Sequence, residues 1–194
     1  MKRVVVSLGV CAMCCSQAKS QNMDINLLRK FNATNPGGQA YWLHTSNSVY
    51  WAAPTATMGS LAYGLIYKDK KAVKNGVETV LSVGISLAIS GGVKQMINRP
   101  RPDQSYPDLI NTYTTSNGKS FPSGHTTLAF ATATTMSLQY KKWYVTIPAY
   151  AWAASVGYSR MRLGRHYPTD VACGALVGIG SGYLSHWVTK KIFK

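Results

Sequence analysis

The sequence predicts an all-α fold, a transmembrane bundle of about five to six helices with its polar chemistry gathered at one end. Three observations carry this. Charged residues make up 14% of the 194, well below the roughly 25% of ordinary soluble domains. Five charge-poor stretches of helical length follow one another: Val49 to Tyr67, Thr79 to Val93, Thr126 to Tyr140, Trp143 to Ser159 and Val171 to Thr189. The 21 Lys and Arg, against 6 Asp and Glu for a net charge of +15, fall in short clumps between those stretches. A soluble bundle with buried Ala- and Gly-rich helices is the competing reading, and a mean hydropathy of −0.06 keeps it open.

In chain order, Lys2 and Arg3 precede an apolar run, Val4 to Cys15, and a small polar stretch, Ser16 to Ser20. That is the layout of an export signal, so residues 1–20 are expected to be a signal peptide or short N-terminal anchor, followed by a single helical domain over 21–194. Cys11, Cys14 and Cys15 lie in this segment; Cys173 alone remains and makes no internal disulfide. Residues 24–48 are polar and mixed, with a short amphipathic helix expected around Ile25 to Phe31 and a turn at Asn35-Pro36-Gly37-Gly38. The five long stretches are rich in Ala, Gly, Ser and Thr, the composition of helices that approach closely within a membrane.

The charges between the stretches set a topology. Lys68, Lys70, Lys71 and Lys74 follow the first, Lys141 and Lys142 the third, Lys190, Lys191 and Lys194 the fifth. By alternation these clusters share one side, which the positive-inside rule makes cytoplasmic. The opposite ends carry Lys94 with Arg99 and Arg101, then Phe121 to His125, then Ser159 to Asp170. A nucleic-acid partner is not expected, since such modules spread basic residues in dense stripes along one face.

Each outer group has a chemical reading. In Lys94-Gln-Met-Ile-Asn-Arg-Pro-Arg101-Pro102, the cations are two helical turns apart, so both are expected on one face, and the prolines end the helix. Pro122-Ser123-Gly124-His125 opens a turn at a helix N-terminus, where backbone N–H groups favour an anion. In Ser159-Arg160 to His166 and Asp170, one turn separates imidazole from carboxylate, so Asp170 is placed to hold one ring nitrogen and leave the other free to attack. Taken singly, these are commonplace: an anchor, an N-cap and a surface pair.

Together, in this order and spacing, they resemble the type-2 phosphatidic acid phosphatase superfamily, which takes in lipid phosphatases, bacterial acid phosphatases and vanadium haloperoxidases. The pattern, Lys, six residues, Arg-Pro; Pro-Ser-Gly-His; Ser-Arg, five residues, His, three residues, Asp, is met without substitution between 94 and 170. The resemblance implies that His166 is the nucleophile, Asp170 its orienting partner and His125 the general acid. It also implies that Lys94, Arg101, Arg160, Ser123 and Gly124 hold the phosphoryl oxygens.

The resemblance implies hydrolysis of a phosphate monoester or diphosphate through a phosphohistidine. No carboxylate cage for a metal is visible in the sequence, so neither metal nor other cofactor is expected. A site at the outer end of a membrane stretch points to a lipid phosphate substrate on the periplasmic face of a bacterial inner membrane. The candidates are lipid A, phosphatidylglycerophosphate, phosphatidate and undecaprenyl diphosphate, with a small lipid A phosphatase the nearest likeness. Arg99, Arg162, Arg165 and Lys119 are expected to add positive charge around the pocket. A soluble periplasmic acid phosphatase and a vanadium-dependent haloperoxidase are the alternatives.

Overall fold

The computed structural model describes residues 23–32, 38–114 and 118–193, which leaves the expected signal segment outside the described residues. A short helix α1 (23–31) is followed by α2 (Gln39–Asn47), α3 (Val49–Ile66), α4 (Lys70–Ile97) and α5 (Pro102–Ser105). Then come α6 (Gly124–Tyr140), α7 (Trp143–Arg162) and α8 (Pro168–Ile192), and no strand occurs among the described residues. All five expected stretches are helical.

Helix ends run past the charge-poor stretches because local chemistry sets them. Helix α4 begins at Lys70, where the Asp69 carboxylate accepts from the N–H groups of Lys71 and Ala72. It stops at Ile97 because Asn98 turns left-handed (φ 51°) just ahead of Pro100 and Pro102. Arg101 therefore stands outside the helix, and the expectation that it shares a helical face with Lys94 does not hold. At the other end of the bundle, Lys68 (φ 54°) and Lys141 (φ 52°) make the left-handed residues of the tight turns from α3 to α4 and from α6 to α7.

The distribution of side chains is the reverse of a soluble core. Leu65, Ile66 and Leu176 are each 70–72% exposed, whereas Ser82, Thr127, Thr135 and Ser185 are fully buried. Such a bundle has lipid as its solvent and packs through small residues, so the soluble-bundle reading falls. Helix α4 with the turn after it (Lys70–Ser105) and helix α8 are long and apolar enough to cross a membrane. At the lysine-rich end, Tyr63, Tyr67, Tyr140, Trp143, Tyr144 and Trp187 are exposed, and Lys191 lies 4.0 Å over the Trp187 ring, a belt suited to a membrane–water boundary.

Helix α8 packs lengthwise on α6 and on α4, and its glycines decide how closely. A Cβ on Gly174 would stand 2.7 Å from the Ser123 carbonyl, and one on Gly178 only 2.4 Å from the Thr127 carbonyl. The two backbones are in direct contact. This close crossing matters for the site, because α6 begins at Ser123-Gly124-His125 and α8 begins beside His166 and carries Asp170 in its first turn.

Candidate active site

The ends of α4, α6, α7 and α8 opposite the lysine-rich turns are tied to one another and to α1 and α5 through side chains and backbone near the motifs. His166 sits in the link between α7 and α8. Gly164 makes that link: its φ is 69°, and a Cβ there would lie 2.5 Å from the Asn111 carbonyl. Pro168 then starts α8 with Asp170 in its first turn, so chain geometry sets imidazole against carboxylate.

His166 is 2% exposed. Its Nδ1 lies 3.4 Å from Asp170 Oδ2, and its Nε2 lies 3.3 Å from Arg101 Nη1. A carboxylate accepts and a guanidinium donates, so the two contacts agree on one tautomer, with the proton on Nδ1 and the lone pair on Nε2. Burial pushes the imidazole down to about 3; the hydrogen bond to Asp170 opposes this, and the charges of Arg160 and Arg101 add to it. The neutral ring is the form in which an imidazole can act as a nucleophile.

Asp170 is fully buried with both oxygens engaged. Oδ2 accepts from the Tyr167 N–H at 2.9 Å and from the Ser120 hydroxyl, and Oδ1 accepts from Arg99 Nη1 at 2.8 Å. The Asp170 carbonyl also accepts from the Ser123 N–H at 3.0 Å, which ties the start of α8 to the start of α6.

Three cations surround this pair. Lys94 Nζ donates to the carbonyls of Pro122 (2.6 Å) and Lys119 (3.1 Å), leaving one of its three N–H groups. Arg101 Nε donates to the Gly118 carbonyl at 3.1 Å and Nη1 to that of Arg165 at 3.1 Å. Arg160, 6% exposed, donates from Nη1 to the Ser46 hydroxyl at 2.7 Å, while its buried Nε has no partner. An unpaired buried guanidinium N–H is costly and is satisfied by an anion.

The Pro-Ser-Gly-His turn completes the ring. Ser123 is fully buried, yet its hydroxyl makes no N-cap bond; instead it accepts from Thr126 Oγ1 at 2.9 Å. A Cβ on Gly124 would meet nothing within 4 Å, so the backbone faces open space there. The His125 ring stacks edge-on against Tyr50, centroids 5.1 Å apart, within electrostatic reach of Arg160, His166, Arg101 and Lys94. All eight predicted site residues are thus brought together. Among the described residues, no three His, Cys, Asp or Glu side chains converge as metal ligands would.

Two of the extra cations are tied to carboxylates, and Arg165 also lies within electrostatic reach of Arg101 and Arg160. Arg165 is fully buried and donates to Asp103 Oδ2 (3.1 Å) and the Thr114 carbonyl (2.6 Å), holding α5 and the following loop. Arg99 bridges Asp170 and Asp24, with Nη2 2.7 Å from Asp24 Oδ2. Sequence reasoning missed Ser46, Ser120 and Asp24 as parts of this network. The short polar side chains of Ser46 and Ser120 lie outside the motifs and carry no local signal; Asp24 was at least conspicuous as one of 6 acids.

Residues 75–194 match the family model described as the PAP2 superfamily. The chain is 34% identical over 181 residues to the lipid A 1-phosphatase of Porphyromonas gingivalis, covering 89% of this chain and 36% of that one. It therefore spans about a third of that relative's length. It is 24% identical over 180 residues to the lipid A 4'-phosphatase of Bacteroides thetaiotaomicron, covering 88% of this chain and 79% of that protein. Among solved structures it resembles the crystal structure of Aquifex aeolicus LpxE, with a TM-score of 0.70 and 28% identity over 84% of this chain and 94% of that one.

Proposed function

The chain belongs to the PAP2 superfamily, and on that premise we propose that it is a membrane phosphatase that hydrolyses a lipid phosphate through a phosphohistidine on His166. The observation that carries the reading is the pair of contacts on His166, Nδ1 to Asp170 and Nε2 toward Arg101. A neutral lone pair aimed into a cluster of cations is what attack on a phosphoryl group requires, since this chemistry is mainly positioning and charge stabilisation.

In the first step Nε2 attacks phosphorus, the bond from phosphorus to the leaving oxygen breaks, and His125 gives that oxygen a proton. Asp170 stabilises the positive charge that develops on the ring. In the second step water attacks the phosphohistidine, His125 takes its proton, the P–N bond breaks and inorganic phosphate leaves. Lys94, Arg101, Arg160, Ser123 and the Gly124 backbone hold the equatorial oxygens throughout. The residues that face the phosphate are cations and hydroxyls, so the reading assigns no metal to the site.

The substrate class follows from depth. Lys94 ends a helix that is apolar enough to span a membrane, so the phosphate sits at headgroup level while its tail stays in lipid. With the lysine-rich turns cytoplasmic, the site faces the periplasm of a bacterial inner membrane. The class comprises lipid A, phosphatidylglycerophosphate, phosphatidate and undecaprenyl diphosphate, and the likeness to lipid A phosphatases puts lipid A first. Phosphate release from a panel of these four, with purified protein in micelles, tests the reading. Release from lipid A above the others is expected; release from none would overturn it.

A further inference from the structure

Asp24 lies in α1, 75 residues before its partner Arg99, and it is 5% exposed. A buried carboxylate this far from the sequence motifs needs a purpose. All its acceptor capacity points one way: Oδ2 takes Arg99 Nη2 (2.7 Å) and the Thr169 hydroxyl, and Oδ1 takes the Thr169 N–H at 3.1 Å. The other arm of the same guanidinium, Nη1, donates to Asp170 Oδ1 at 2.8 Å. Arg99 also lies 3.8 Å over the Tyr167 ring, which fixes the plane of the fork.

We propose that Asp24 and Arg99 are positioning residues for the nucleophile, a strut from α1 through Arg99 to Asp170 that fixes the carboxylate on which the His166 tautomer depends. Helix α1 is built to carry it. Ile25 and Leu28 are buried against Ile110 and Tyr167, and Asn32 is bonded to the Asn111 backbone and the Arg162 carbonyl. The strut needs two parallel donors on one rigid plane, which Arg supplies and the point charge of Lys does not. Asp24 also balances Arg99, so that Asp170 keeps its negative charge for the imidazole.

This rests on the phosphatase reading, and the test separates the two. In the full-length protein in micelles, with dioctanoyl phosphatidate as probe, Asp24→Asn and Arg99→Gln are each expected to lower kcat about 10- to 100-fold with KM within about twofold. Asp24→Asn keeps the shape of the side chain and an acceptor for the Thr169 N–H. The double variant is expected to be little slower than Arg99→Gln alone, because Arg99 is the side chain bonded to both carboxylates. Arg99→Lys is expected to fail as Arg99→Gln does. Thr169 belongs to the same strut, its hydroxyl donating to Asp24 Oδ2 and accepting from Arg99 Nη1 at 2.8 Å, so Thr169→Val is expected to lower kcat in the same direction but by less than either single variant.

A readout independent of turnover is the tautomer of His166 in long-range proton–nitrogen spectra of protein labelled with ¹⁵N-histidine. Wild type is expected to show the Nδ1–H form alone, and both single variants a mixture. If wild type releases no phosphate but the tautomers follow this pattern, the phosphatase reading falls and the strut stands. Unchanged kcat and tautomer in both single variants, or additive losses in the double variant, would overturn the strut.

Discussion

His166 Nδ1 lies 3.4 Å from Asp170 Oδ2, and neither side chain has appreciable access to solvent. On the proposed function the carboxylate keeps the ring proton on Nδ1, so that Nε2 presents its lone pair to the cations. Asp170→Asn keeps the shape and removes that preference. It is expected to lower kcat by about 10³- to 10⁴-fold with little change in KM, the pattern of a lost orienting carboxylate beside a catalytic imidazole. Steady-state rates on a short-chain lipid phosphate check it; a loss below about tenfold contradicts the role.

The neutral state of His166 predicts its titration. Burial, first, with Arg160 and Arg101 adding and the Asp170 hydrogen bond opposing, moves it from 6.5 down to about 3. The imidazole C2–H signal of His166 is therefore expected to stay that of the neutral ring at pH 5; a midpoint near 6.5 would refute this. The linkage has a definite sign. Between about 6.5 and 3 the unfolded chain binds the proton that the folded one refuses, so this group's share of the stability is present above 6.5 and is lost as the pH falls through that window.

The close crossing of α6 and α8 predicts a contrast between two neighbouring glycines. A Cβ on Gly178 would meet the Thr127 carbonyl at 2.4 Å and the Ala131 nitrogen at 2.8 Å, so Gly178→Ala must push two backbones apart. The expected cost is about 1 to 3 kcal/mol of stability, with a fall in kcat, because the helices that carry His125 and Asp170 separate. At Gly180 a Cβ meets nothing within 4 Å, and Gly180→Ala is expected to be neutral or stabilising by up to about 1 kcal/mol. Thermal unfolding in micelles ranks the two; equal effects would contradict the packing.

Charge supply at the site predicts indifference to chelators. On the proposed function Lys94, Arg101 and Arg160 supply the positive charge that the phosphoryl oxygens need, and among the described residues no three His, Cys, Asp or Glu side chains converge as metal ligands would. Turnover in excess EDTA is expected to match turnover without it. Loss of activity that a divalent ion restores would show that the cations are insufficient.

Much of this site was legible in the sequence because its residues come in short runs whose spacing survives folding: one helical turn from His166 to Asp170, and a helix start at Ser123-Gly124-His125. The five long helices were legible from the sparsity of charge, and the lysine clusters already grouped their ends. Helix boundaries were not, because α4 begins at a cap made by Asp69 and ends where Asn98 turns left-handed, both outside the apolar stretch. The fates of Arg99 and Arg165 were also hidden. Each is paired with a carboxylate that only the fold brings near, Asp24 across 75 residues and Asp103 across 62. The sequence shows the cation near the motif but not the carboxylate it is tied to.

The account turns on a covalent bond between His166 and phosphorus, with His125 needed to complete turnover. The most direct measurement is labelling with a ³²P-labelled aryl phosphate, whose leaving group needs no proton, quenched without acid and followed by alkaline isolation of phosphohistidine from wild type, His125→Ala and His166→Ala. The account predicts label on His166 that accumulates in His125→Ala with a good leaving group, and none in His166→Ala. Label of equal amount in His166→Ala, or phosphate release by that variant at the wild-type rate, would contradict it.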